Sequence, residues 1–261
     1  MINFQLENDV RKVTETRGSF QVLEYEKDAS VSSLSAQNEY FMQQMGVHRR
    51  QVLCTLNGKV GIVTQAGAMQ WIGGSVHATT GVKSAGDLFG KMMKGAVTKE
   101  SAIKPEYAGE GFLMLEPTYK HILLENVGDW GSGLVVEDGM FLACENTVSR
   151  EVIARSNLSS AALGGEGLFN LCLKGQGVVA LESYVPRREL IEFDLQNDEL
   201  KIDGNMAVCW SSTLKFTVER SSKSLIGSAA SGEGLVNVYR GTGKILMSPV
   251  APSTSSIVRA V

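Results

Sequence analysis

"GEGFLMLEP" (Gly109–Pro117), "GQGVVALES" (Gly175–Ser183) and "GTGKILMSP" (Gly241–Pro249) are three versions of one phrase, beginning 66 residues apart each time. Each opens on Gly-x-Gly, runs through apolar residues and closes on a polar residue or proline. A second phrase precedes two of them: "GEGLFNLCLK" from Gly165 and "GEGLVNVYR" from Gly232. Two apolar runs separated by Gly-x-Gly predict a β-hairpin, because glycine supplies the positive φ of a tight turn. The expected turn glycines are Gly109, Gly111, Gly175, Gly177, Gly241 and Gly243. In this register Glu100, Glu166 and Glu233 fall opposite one another, and "KESAIKPEYAG" from Lys99 fills the first hairpin.

The repetition continues upstream. "VVEDGMFLAC" (Val135–Cys144) matches "LKIDGNMAVC" (Leu200–Cys209), and "IVTQAGAMQW" (Ile62–Trp71) is a looser relative. The alignment places Cys144 opposite Cys209, which favours a packing role for both. The expected architecture is all-β: about three repeats of roughly 66 residues, over 50–117, 118–183 and 184–249. Residues 1–49 read as leading strands, "SFQVLEYE" the clearest, and 250–261 as a tail, the whole forming one compact body. Runs such as "HILLENV", "RELIEFDL" and "LKFTVER" are short, β-branched or alternating, and bounded by turn residues.

One segment departs from the strand pattern. In "KSAGDLFGKMMKGAVTKE" Ser84 suits an N-cap and Asp87 a first helical turn. Leu88, Phe89, Met92 and Met93 then share one side, predicting a short amphipathic helix over 84–95 inserted into the first repeat. Its glycines weaken it, so it needs a packing partner. These four residues are the candidate interaction surface, and the Met-containing "YFMQQM" (Tyr40–Met45) is a second adaptable stretch or core filler.

Composition narrows the functional classes. With 43% hydrophobic and 20% charged residues the chain is an ordinary globular protein. Its formal charge of −3 argues against nucleic-acid binding, which needs a basic face. No apolar run reaches the length of a membrane helix, and "MINFQLENDVRKVTETRG" has no apolar segment of a signal peptide. Cys54, Cys144, Cys172 and Cys209 form no C-x-x-C pair, so buried thiols in a cytoplasmic location are expected.

Catalytic patterns fail on their own mechanics. "GVKS" (Gly81–Ser84) interposes Val82 where a phosphate loop needs Gly-Lys adjacent, and in "GTGKI" a strand follows instead of a helix. His48, His77 and His121 show no metal-ligand spacing, and no Gly-x-Ser-x-Gly elbow occurs. Glu100, Glu166 and Glu233 could converge about a pseudo-threefold axis and hold a cation, or serve their own turns. No catalytic residue and no cofactor are expected, and no metal is assigned.

"AGAM" (Ala66–Met69), the Gly-rich insertion after it and "GEGLVNVYRGTGKILMSP" (Gly232–Pro249) resemble the altered inheritance of mitochondria protein 24 family over roughly residues 18–250. The resemblance implies the fold of the tryptophan RNA-binding attenuator protein, a β-sandwich or double-stranded β-helix of repeated units. It implies oligomers, trimers in particular, and a scaffold-type role for the mitochondrial member in inner-membrane organisation. It supplies no catalytic residues, and the attenuator protein's RNA-binding set does not map onto this acidic chain. The expectation is a non-enzymatic β scaffold that self-associates and binds another protein. The alternative is a small-molecule or ion-binding β domain with a pocket between repeats.

Overall fold

The computed structural model describes residues 2–79, 104–154, 169–220 and 235–251. The fold is all-β. Strands β1 (Arg11–Arg17), β2 (Phe20–Tyr25), β3 (Arg49–Asn57), β4 (Ile62–Thr64), β5 (Met69–Thr79) and β6 (Glu106–Leu115) come first. Next are β7 (His121–Asn126), β8 (Leu134–Val136), β9 (Phe141–Glu145), β10 (Val148–Ala154), β11 (Phe169–Gly175) and β12 (Val178–Ser183). Last come β13 (Ile191–Asp203), β14 (Ala207–Ser211), β15 (Lys215–Arg220) and β16 (Leu235–Met247).

The described strands make two antiparallel sheets. One has nine strands in the order β1-β2-β3-β6-β4-β9-β12-β7, with β5 also paired to β6. The other has seven, β10-β11-β8-β14-β16-β13, with β15 also paired to β16. The middle of the chain serves both: β7, β9 and β12 lie in the first sheet, β8, β10 and β11 in the second. Sequence neighbours are thereby locked together by pairing and not by loops alone.

The Gly-x-Gly triplets are not hairpin turns, and here the structure corrects the expectation from sequence. Gly109 and Gly111 lie inside β6, Gly241 and Gly243 inside β16; Gly175 ends β11 and Gly177 precedes β12, which is in the other sheet. The antiparallel hairpin partners are instead β5 with β6, β10 with β11 and β15 with β16. What the glycines provide is a bend without chain reversal. The first of each pair has φ of 118°, 105° or 121°, a region that side chains avoid. At Gly109 and Gly111 a Cβ would stand 2.0 Å from the carbonyl oxygens of Ser75 and Gly73. The strand crosses β5 too closely for anything larger than hydrogen.

Alternation along each strand divides the apolar residues among several cores. The central one, with Val63, Leu134, Phe141, Leu173, Val179 and Leu246, draws on both sheets. A second, around Phe20, Val52, Ile62 and Leu113, lines the inner face of the larger sheet, and a third surrounds Trp210, Phe216 and Tyr239. On the outer face of the larger sheet Leu23, Leu53 and Met114 are covered by Phe4 and Leu6 from the N-terminal segment.

Among the described residues the single α-helix is α1 (Ala36–Gln44), in the stretch expected to hold leading strands. It buries none of its residues, so it leaves no apolar periodicity to detect. Tyr40, Phe41 and Met45 of the Met-containing stretch are all more than half exposed. The helix expected over 84–95 lies outside the described residues.

Candidate functional site

The polar end of the β2–β3 pair is the most elaborate site on the described chain. Tyr25 pairs with Arg49, Glu24 with Arg50 and Leu23 with Gln51. Because neighbours along a strand point to opposite faces, this register divides the polar residues into two clusters. Tyr25, Arg49 and Gln51 share the outer face with Leu23 and Leu53. Arg50 joins the inner face with Val52 and Cys54.

On the outer face a cavity of about 220 Å³ opens between the sheet and the N-terminal segment. Phe4, Leu6, Trp71 and Met114 form its apolar part, and Arg11, Arg49, Gln51 and Gln70 its polar part. Phe4 meets Trp71 and Phe112 edge to face at 5.4 and 5.0 Å, which fixes the segment on the sheet. The Tyr25 ring carries two guanidinium groups, Arg49 at 4.4 Å and Arg11 at 5.6 Å from its centroid. The Tyr25 hydroxyl donates to Gln51 Oε1 at 2.5 Å and accepts from Arg11 Nη1 at 3.3 Å. Gln51 Nε2 in turn donates to Gln70 Oε1 and to the Leu115 carbonyl.

Arg49 extends this network to α1. Its Nη2 lies 3.1 Å from Asp28 Oδ1, and Tyr119 donates to Asp28 and Glu39. Burial, then the Glu39 and Asp28 carboxylates, push the Tyr119 hydroxyl up to about 12, so it stays protonated and serves as a donor.

On the inner face Arg50 is almost fully buried and gives both Nε (2.8 Å) and Nη2 (2.7 Å) to Glu24 Oε2. Its Nη1 reaches the His48 carbonyl. His121 stands close by, and burial, followed by the positive charges of Arg50 and Arg188, holds its imidazole down at about 4. His77, by contrast, is exposed on β5. The signal for this cluster in the sequence was the Arg49-Arg50 pair, which a composition argument treats as solvated surface.

The residues singled out from sequence fare differently. Leu88, Phe89, Met92, Met93, Glu100, Glu166 and Glu233 all lie outside the described residues. The four cysteines are buried free thiols, and burial raises the pKa of each. Cys144 faces Val63 of β4, and Cys209 faces Val136 of β8. Among the described residues no three His, Cys, Asp or Glu side chains converge as a metal site would require. None of the described helices is long and apolar enough to cross a membrane.

These features define a two-sheet, all-β protein whose strands bend at paired glycines and whose outer face carries an arginine-lined cavity. The chain belongs to the AIM24 family, described as mitochondrial biogenesis AIM24, which matches residues 42–250. An uncharacterized protein of Streptococcus pyogenes is 27% identical over 192 residues, covering 70% of this chain and 75% of the relative. A crystal structure of a protein from Streptococcus pyogenes superposes with a TM-score of 0.58 at 23% identity, covering 78% of this chain and 89% of that one. The likeness to that structure is one of fold.

Proposed function

We propose that the protein is a non-enzymatic β scaffold of three related units that self-associates through two open strand edges. The support is a joint used twice within the chain. β4 pairs with β9, Val63 opposite Cys144, and β8 pairs with β14, Val135 opposite Trp210. Val63 and Val135 each precede a turn glycine, Gly67 and Gly139, by four residues. Four residues before the corresponding Gly204 stands Leu200, in β13, whose described partner is β16 alone. The strand that occupies in the first unit the place of β9 and β14 is β5, which among the described residues pairs with β6 alone. One half of the joint is thus left over at each end of the series.

A second copy offering its β5 to β13 continues the pattern. The two halves differ, so the contact is heterologous and closes into a ring or grows into a filament. Long open edges invite such pairing, and β13 and β5 span 13 and 11 residues. The trimer implied by the family is the ring we favour. The buried free thiols are in keeping with a reducing, cytoplasmic location.

Native mass spectrometry and light scattering test the reading. The wild type is expected to form a homo-oligomer. Ile72→Asp, on the exposed side of β5, is expected to give a folded monomer, whereas Val152→Asp on β10 keeps the assembly. A monomeric wild type, or an Ile72→Asp protein that assembles normally, refutes it. The second reading, ligand binding, is favoured by the cavity beside Arg49, which lies on the outer face of one sheet and not between units.

A further inference from the structure

We propose that the cavity under the N-terminal segment binds a small carboxylic acid with an apolar body, its carboxylate held by Arg49 and Arg11 and its body lying on Trp71 and Met114. The proposal is independent of self-association. Size comes first. At about 220 Å³ the cavity is below the roughly 300–1,000 Å³ of drug-sized sites and suits a molecule of about ten heavy atoms.

Hydrogen-bond accounting identifies the ligand's polar end. Tyr25, Gln51 and Gln70 satisfy one another and the Leu115 carbonyl. Arg49 Nε, by contrast, is shielded from solvent and has no acceptor within hydrogen-bond reach. A buried donor without an acceptor is costly; the Arg49 side chain is 24% exposed, and a turn of its guanidinium brings Nε to an anionic oxygen in the cavity, the strongest partner for it.

Charge sets the valence. Arg49 is balanced by Asp28 at 3.1 Å. Arg11 bonds only to neutral oxygens, the Leu6 and Gln5 carbonyls and the Tyr25 hydroxyl, and among the described residues no carboxylate lies within ion-pair distance of it. The site therefore carries one uncompensated positive charge, which a monoanion neutralises and a dianion overshoots. Phe4, Leu6, Trp71 and Met114 complete a wall that rewards an apolar body over a bare inorganic ion. Arg11 also ties down the backbone of Gln5 and Leu6, so the group that meets the carboxylate also holds the covering segment in place.

The test is a titration of the full chain with sodium hexanoate, 1-hexanol and inorganic phosphate at constant ionic strength, by calorimetry and tryptophan fluorescence. Trp71 reports the cavity, since Trp130 and Trp210 are buried in other cores. Hexanoate is expected to bind saturably with a Kd of roughly 10 μM to 1 mM, hexanol and phosphate at least about ten-fold more weakly. Arg49→Gln is expected to lose about ten-fold in hexanoate affinity. Should that variant fail to fold, Arg49→Lys keeps the charge opposite Asp28 without the Nε donor, and the same loss is expected. Trp71→Phe should remove the fluorescence change and, by trimming the wall under the ligand's body, weaken the binding seen by calorimetry. No saturable hexanoate binding, equal binding of hexanol, tighter binding of phosphate, or unchanged affinity in the folded Arg49 variant each overturns the proposal.

Discussion

Glu145 and Ser19 stand 126 residues apart in sequence, yet Glu145 Oε1 accepts from both the Ser19 amide at 2.9 Å and its hydroxyl at 2.8 Å. The other carboxylate oxygen, Oε2, accepts from the Val178 amide at 2.9 Å. One side chain at the end of β9 thereby fastens the β1–β2 turn to the start of β12. Glu145→Ala leaves these donors without their acceptor, and the expected loss is about 2–4 kcal/mol in urea unfolding. Glu145→Gln, which keeps the shape but not the charge, is expected to lose less.

The bend glycines give a sharper contrast. A Cβ on Gly109 would sit 2.0 Å from the Ser75 carbonyl oxygen, whereas one on Gly131, at φ 71°, would meet nothing within 4 Å. At φ 71° and ψ −120° a side chain is strained even in open space, so Gly131→Ala is expected to cost the backbone strain alone, about 1–3 kcal/mol. Gly109→Ala must also separate β5 from β6 and is expected to cost more than about 3 kcal/mol. Thermal unfolding of the two variants under identical conditions measures the difference.

His121 predicts how stability depends on pH. Burial and the adjacent Arg50 and Arg188 charges hold its folded pKa at about 4, below the ordinary 6.5. The unfolded chain then binds a proton across this window that the folded chain refuses. Its contribution is complete above about pH 6.5 and is lost as the pH falls toward 4. The imidazole is partly solvated, so a loss of about 1–2 kcal/mol is expected after allowing for screening. His121→Gln should flatten that part of the profile, measured by urea unfolding at several pH values.

The Arg50–Glu24 pair should act as a unit. Arg50 is buried on the inner face, with Glu24 as its carboxylate partner at 2.7 Å. Glu24→Gln leaves an uncompensated buried charge, and a loss of about 3 kcal/mol is expected. Combining it with Arg50→Met removes that charge, so the double variant is expected to be more stable than Glu24→Gln alone. A double-mutant cycle in chemical denaturation reads the coupling.

The Gly-x-Gly phrases, their spacing of 66 residues and the short alternating runs around them were enough to identify an all-β chain. Local chemistry carries that information: glycine permits φ values closed to other residues, and alternation declares a strand with two different faces. The same phrases could not say whether the chain reverses or merely bends at the glycines. That depends on which strand lies alongside, and β11 and β12 turned out to lie in different sheets. The cavity was hidden for a related reason. Arg11, Tyr25, Arg49 and Trp71 are far apart in the chain, and only pairing register and strand alternation bring them to one face. Helix α1 left no apolar stripe because it buries nothing. Backbone preference is written residue by residue and can be read from sequence, whereas partner choice among the sixteen described strands is settled by packing of the whole chain.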